Sequence, residues 1–175
     1  MASAGKEFRR SAKRGAVKKH VAPIAVISEI WGDVAGARKL YRTSKIDRVK
    51  ILKRGVPARY TRILASGMSV SQEKLYDTVG LTRATVDRKV RRDDLLNADE
   101  SERVMGIARL VGQVQTLVEE SGTPKGFEAA KWLAGWLDRP LPALGGKRPA
   151  EFMDTADGRA LVSDLLAQQQ SGAYA

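Results

Sequence analysis

The stretch SQEKLYDTVGLTRATVDRKVRR, residues 71–92, decides how the chain folds. Ser71 stands just ahead of a helical pattern, in the place of an N-cap, with Lys74 where a reciprocal capping box would carry Glu. Gly80 ends that pattern and Thr82 caps the next, so two short helices meet across a glycine turn. Leu75, Leu81 and Val86 fall where they lock the two helices together, the spacing of a helix-turn-helix. Tyr76 occupies the position at which two such helices approach most closely and a small residue is usual, which leaves open a wider crossing or a role in oligomer contacts.

The second of these helices presents polar and basic residues outward. Early polar side chains on such a helix reach base edges, and later arginines meet phosphates. The candidate DNA-binding set is therefore Thr82, Arg83, Thr85, Arg88, Lys89 and Arg92, with Arg83, Thr85 and Arg88 reading bases and Lys89 and Arg92 on the backbone. Charge supports this. The net +11 is uneven: residues 1–97 hold 23 Lys/Arg against 9 Asp/Glu, a net of +14, and residues 98–175 hold 8 against 11, a net of −3. A basic half of that size favours a polyanion.

Working outward, apolar residues recur at three and four along most of the chain, and no sustained alternation or Asn-Gly hairpin occurs, so the expected class is all-α. A helix over Ser44 to Arg54 has Ile46, Val49 and Leu52 as its apolar stripe and Gly55 as its stop. Pro57 opens a further helix reaching about Ser66. Downstream, Asp99 is the expected cap of a long helix with two apolar faces, Val104, Ile107, Ala108, Val111 and Val118 on one and Met105, Leu110, Val114 and Leu117 on the other. Such a helix is buried from two sides, either centrally in one chain or between the core and a second subunit. Thr123-Pro124 opens a helix on which Trp132 and Trp136 lie one turn apart, as core residues or as partner anchors.

The segment ALGGKRPAEFMDTADGRALVSDLL, residues 143–166, is heavily punctuated. Gly145 and Gly146 permit a turn or a close approach, Pro149 fixes the next turn, and Asp154 or Thr155 caps the last helix. Gly158 within its first turn costs roughly 1 kcal/mol against alanine, a cost that points to close approach to another helix or to a partner.

Taken together, SERVMGIARLVGQVQTL, AAKWLAGWLDRPLPALGGKRPAEFMDTADGRALVSDLL and the terminal SGAYA resemble the C-terminal toxin-binding domain of the Xre/MbcA/ParS antitoxins, over residues 99–175. GLTRATVDRKVRR resembles the same family's Xre/Cro-like DNA-binding region, extending the likeness to residues 44–175. The resemblance implies a small helical toxin-binding domain after a helix-turn-helix, in a type II antitoxin that blocks a RES-domain, NAD-consuming toxin and represses its own operon. Carried onto this chain, the toxin-binding residues are Trp132, Trp136, Leu144, Gly145, Gly146, Gly158, Val162, Gly172, Tyr174 and Ala175, with Tyr174 as a plug for a cleft on the toxin. The expected organisation is a basic extension over 1–43, a DNA-binding region over 44–98 and a toxin-binding domain over 99–175. Three glutamines at 168–170 depart from the family's more hydrophobic or charged pattern, and residues 1–40 lie outside the resemblance.

Other classes fare worse. The chain has no cysteine and one histidine, His20, inside a basic run, so no metal set is expected. No Ser/His/Asp constellation, phosphate loop or paired carboxylates in an apolar setting occurs, so neither an enzyme nor a cofactor is expected. VAPIAVI after basic residues imitates a signal peptide, but Ser28, Glu29 and Asp33 stop it short of the roughly 20 residues a span requires; a cytoplasmic protein off the membrane is expected. The alternative is a stand-alone helix-turn-helix repressor without a toxin. Either reading calls for operator DNA and a homodimer, because palindromic half-sites match two-fold symmetry.

Overall fold

The computed structural model describes residues 29–122 and 126–170, with the side chain of Gln170 outside that set. The described residues form eight α-helices and no strand beyond one isolated bridge, the all-α class expected. These are α1 (Gly36–Arg42), α2 (Lys45–Arg54), α3 (Tyr60–Gly67), α4 (Gln72–Val79), α5 (Arg83–Arg91), α6 (Ala98–Glu120), α7 (Ala129–Leu137) and α8 (Ala156–Gln170), with two 3₁₀ turns at Pro142–Leu144 and Pro149–Phe152. His20, Thr123, Pro124, Gly172, Tyr174 and Ala175 lie outside the described residues.

The 23-residue α6 is the spine. Most of both apolar faces is buried within one chain: Val104, Met105, Ile107, Ala108, Leu110, Val111 and Val114 lie in the core, while Leu117 and Val118 near the end stay half-buried. The central reading of that helix holds, and no second subunit is needed to cover these residues. Its cap is Asn97 rather than Asp99. The Asn97 side chain accepts from the Glu100 amide at 2.8 Å, and the Glu100 carboxylate accepts from the Asn97 amide at 2.8 Å, a complete capping box. Asp99 sits in the first turn, where its charge still suits the helix dipole.

Residues 29–42, placed with the basic extension on sequence, belong to the core instead. Ile30 and Trp31 are buried, and the Trp31 ring meets Tyr60 edge-on at 4.7 Å. Helix α1 crosses α6 so closely that a Cβ on Gly112 would stand 2.1 Å from the Ala37 carbonyl oxygen. Arg38 closes the far end with an ion pair to Glu119 at 2.8 Å.

Two local expectations change. Helix α2 turns Ile51 inward, leaving Ile46 70% and Val49 50% exposed, because α6 covers the other side of a helix with apolar residues on two faces. Pro57 does not start a helix. The Ala58 amide donates to the Asp94 carbonyl at 3.0 Å and the Leu96 amide to the Val56 carbonyl at 2.8 Å, drawing residues 56–58 into a bridge before α3 begins at Tyr60. That bridge fastens the start of α3 to the end of α5. Ser101 extends the clasp to α6, accepting from the Val56 amide at 3.0 Å.

Candidate DNA-facing helix and partner-facing surface

Helices α4 and α5 meet as the sequence predicts. Ser71 accepts from the Lys74 amide at 3.1 Å, and Gly80 adopts φ 68°, ψ 38°, the left-handed geometry the turn requires. Leu75, Leu81 and Val86 are buried between the helices. Tyr76 is accommodated rather than expelled: its ring is buried and its hydroxyl sits 3.4 Å from Thr61, 3.3 Å from Gln72 and 3.4 Å from Asp87, bridging α3, α4 and α5. Burial pushes the Tyr76 phenol above its ordinary pKa, opposed by the Thr61 hydrogen bond and reinforced by the Asp87 charge.

The predicted DNA set divides on this frame. Thr82, Arg83, Arg88 and Arg92 are exposed and Thr85 is half-buried beside them. The Thr82 hydroxyl caps nothing; the first turn closes instead through the Thr85 amide and the Thr82 carbonyl at 3.1 Å, which leaves the hydroxyl for another partner. Arg83 reaches weakly to Glu73 at 3.4 Å and Asp87 at 3.6 Å, both displaceable. Arg88 and Arg92 form no ion pair among the described residues.

Lys89 is the exception. Its ammonium turns inward to the Glu100 carboxylate, with both side chains largely buried, so it ties α5 to α6 and is withdrawn from any phosphate. Arg91, outside the candidate set, is exposed as well and lies one turn from Arg88.

In the acidic half, α7 places the two tryptophans differently. Their rings stack at 6.2 Å and 13°, but Trp136 is buried while Trp132 remains 38% exposed, tilted over Phe127 at 6.2 Å. An apolar cleft of about 510 Å³ opens there, lined by Val114, Leu117, Val118, Phe127, Trp132 and Leu166. A second, of about 300 Å³, lies between Trp136, Leu141, Pro142, Ala143 and Leu165. Both sit beside the end of α8.

Between α7 and α8 the glycine pair closes a tight loop. The Gly145 amide donates to the Pro142 carbonyl at 2.9 Å, the Gly146 amide to the Leu141 carbonyl at 3.0 Å, and the Leu141 amide to the Lys147 carbonyl at 3.0 Å. Gly145 and Gly146 have φ of 64° and 81° and face open space, so backbone conformation, not crowding within the chain, selects glycine here. Leu144 is half-buried against the core.

Gly158 differs. A Cβ there would stand 1.9 Å from the Phe152 carbonyl oxygen, so the close approach it permits is internal, between α8 and the preceding 3₁₀ turn. Thr155, not Asp154, provides the cap, accepting from the Gly158 amide at 3.0 Å. Val162 is fully buried, and so offers no surface to a partner in this arrangement.

The comparisons with known proteins fall on the same two surfaces. Residues 47–109 match the Antitoxin Xre-like helix-turn-helix domain, and residues 126–172 match the Antitoxin Xre/MbcA/ParS C-terminal toxin-binding domain. Over 138 residues the chain is 46% identical to the Prs ADP-ribosylating antitoxin of a Sphingobium species, covering 79% of this chain and 87% of that protein.

The chain belongs to the Xre/MbcA/ParS antitoxin family.

This antitoxin is also 26% identical over 88 residues to Antitoxin Xre of Pseudomonas putida, half of each chain. Its helix-turn-helix match runs into the first half of α6, and its toxin-binding match takes in Trp132, the glycine loop and α8, so α6 carries one module on its first turns and supports the other along its length. Among the described residues no helix is long and apolar enough to cross a membrane.

Proposed function

We propose that this antitoxin is a two-headed cytoplasmic inhibitor: α5 binds operator DNA and represses the antitoxin's own operon, while residues 99–175 bind and block a RES-domain toxin that consumes NAD. The observation that carries the reading is the pairing of two solvent-facing surfaces on one core, the arginines of α5 and the Trp132 cleft with its glycine loop. The name of the Sphingobium relative associates that protein with ADP-ribosylation. ADP-ribose is the portion of NAD passed on in such a transfer, which supports an NAD-consuming enzyme as the partner here.

On this reading Thr82, Arg83, Thr85 and Arg88 face bases, with Arg91 and Arg92 on phosphates. Trp132, Leu144, Gly145 and Gly146 border the toxin, and Gly172, Tyr174 and Ala175 enter its cleft. The active complex carries the antitoxin as a homodimer, matching two half-sites. Separate variants test the two heads. Arg88→Ala weakens operator binding in a mobility-shift assay and leaves toxin neutralisation intact. Deleting residues 171–175 weakens neutralisation of the co-expressed toxin and leaves operator binding intact. Unchanged inhibition by the truncated chain would remove the plug from the mechanism, and loss of both activities in Arg88→Ala would assign that residue to folding.

A further inference from the structure

A further cleft opens away from α5 and from the clefts beside Trp132. It lies between α2, α6 and α8, measures about 560 Å³, and shares no residue with α5 or with the clefts beside Trp132. That volume is in the range of small-ligand sites.

Its charge is unbalanced. Lys45, Arg48, Arg109 and Arg159 line it against Glu102 and Asp164. Arg159 is committed, bonded to Glu102 at 3.1 Å and to the Met153 carbonyl at 3.1 Å. Three cations then face one remaining carboxylate.

Arg109 is the telling residue. It projects from the middle of the spine helix, forms no ion pair among the described residues, and its Nε is shut off from solvent with no hydrogen-bond partner there. A buried guanidinium donor without an acceptor is unfavourable, and the fork geometry of arginine matches a group with two oxygens. Arg48, across the cleft on α2, is held in place by the Thr43 and Tyr41 carbonyls. Burial first, and then the Arg109 charge, hold the Arg48 guanidinium below its ordinary pKa. An anion between them would offset the repulsion between the two guanidinium groups. Val49, half exposed, and Met105 give the cleft an apolar wall.

We propose that this cleft binds a doubly oxygenated anionic group, a phosphate or a carboxylate on a partly apolar molecule, clamped by Arg109 with Arg48 and seated on Val49 and Met105. The site shares no residue with α5 or with the Trp132 cleft and glycine loop, although α6 and α8, which line it, also belong to the segment proposed to bind toxin.

Thermal unfolding of the full chain tests it, with inorganic phosphate, pyrophosphate and glutarate as probes at constant ionic strength set by sodium chloride. A bound probe at ten times its Kd raises Tm by about 3–6 °C. The increment disappears in Arg109→Gln, shrinks in Arg109→Lys, which keeps the charge and loses the fork, and survives in the double variant Arg88→Gln/Arg91→Gln. A rise with the phosphates alone assigns a phosphate-bearing ligand; a rise with glutarate alone assigns a carboxylate. No rise with any probe overturns the proposal, as does a rise that persists in both Arg109 variants or is lost in the α5 double variant.

Discussion

Gly158→Ala separates two reasons for a glycine at the head of the last helix. If glycine is kept only so that a partner can approach, alanine improves helix propensity, and the free chain gains up to about 1 kcal/mol. The geometry predicts the opposite. The new Cβ would lie 1.9 Å from the Phe152 carbonyl oxygen, 2.7 Å from the Thr155 hydroxyl and 2.8 Å from the Phe152 carbonyl carbon. The nearest obstacle is backbone, in a turn pinned by buried Pro149 and Met153, so the whole 3₁₀ segment must shift by roughly an ångström to restore ordinary contact distance. Overpacking of this kind costs about 1–3 kcal/mol, and this contact falls at the upper end. Net of the propensity gain, about 2 kcal/mol is lost, equivalent to a Tm lowered by roughly 4–8 °C in a chain of this size. Urea denaturation of the isolated antitoxin measures it directly. A Gly158→Ala chain as stable as the parent, or more so, refutes internal packing as the reason for the glycine.

Three further outcomes rest on the same kind of contact. Lys89→Ala leaves the largely buried Glu100 carboxylate with the Asn97 amide but no counter-charge and lowers stability by about 3 kcal/mol in denaturant titration, while operator affinity measured well below the new midpoint stays unchanged. Asn97→Ala removes the capping box of α6 and costs about 1 kcal/mol, read from the same titration; Asp99→Ala costs only a few tenths. Alkaline pH is expected to destabilise the protein. Burial, with Asp33 second, raises the Tyr60 phenol far above its ordinary 10.0, and Tyr76 is raised as well, so the unfolded chain loses these protons first. Stability is full below about pH 10 and falls as pH rises beyond it, which a pH series of thermal melts detects; Tyr76→Phe flattens part of that slope.

The parts of the fold that were legible in the sequence are those whose determinants are local. Ser71, Leu75, Gly80, Leu81 and Val86 lie close together along the chain, and each does what its chemistry and spacing predict. The box at Asn97 and Glu100 is equally local, but Asp99 offers a second plausible oxygen two residues on and masks it. Partners distant in sequence account for the rest. Whether Ile46 or Ile51 of α2 turns inward depends on where α6 lies, and both registers carry apolar residues. Which basic residue of α5 is withdrawn depends on Glu100, eleven residues away from Lys89. Ile30 and Trp31 follow a basic run that ends at His20 and an apolar stretch with no clear helical period, and the Tyr60 ring that meets Trp31 lies far along the chain. At the candidate sites the residue types were readable and their exposure was not. Trp132 and Trp136 look equivalent one turn apart, yet Phe127 and the cleft leave only the first open. Gly145 and Gly158 look alike as glycines, yet one answers to a dihedral angle and the other to a neighbouring carbonyl.

The shared α6 spine has a consequence for the lifetime of the protein. A cut near residue 98 would strip Val104, Ile107 and Leu110 of their cover on one fragment and leave Val56 and Leu96 uncapped on the other, so neither piece keeps a finished interior. Shared packing of this kind predicts that the two heads unfold as one cooperative unit. A protease that catches the chain open would destroy both together, so that on the function proposed above a single degradation event would empty the operator and free the toxin at the same moment.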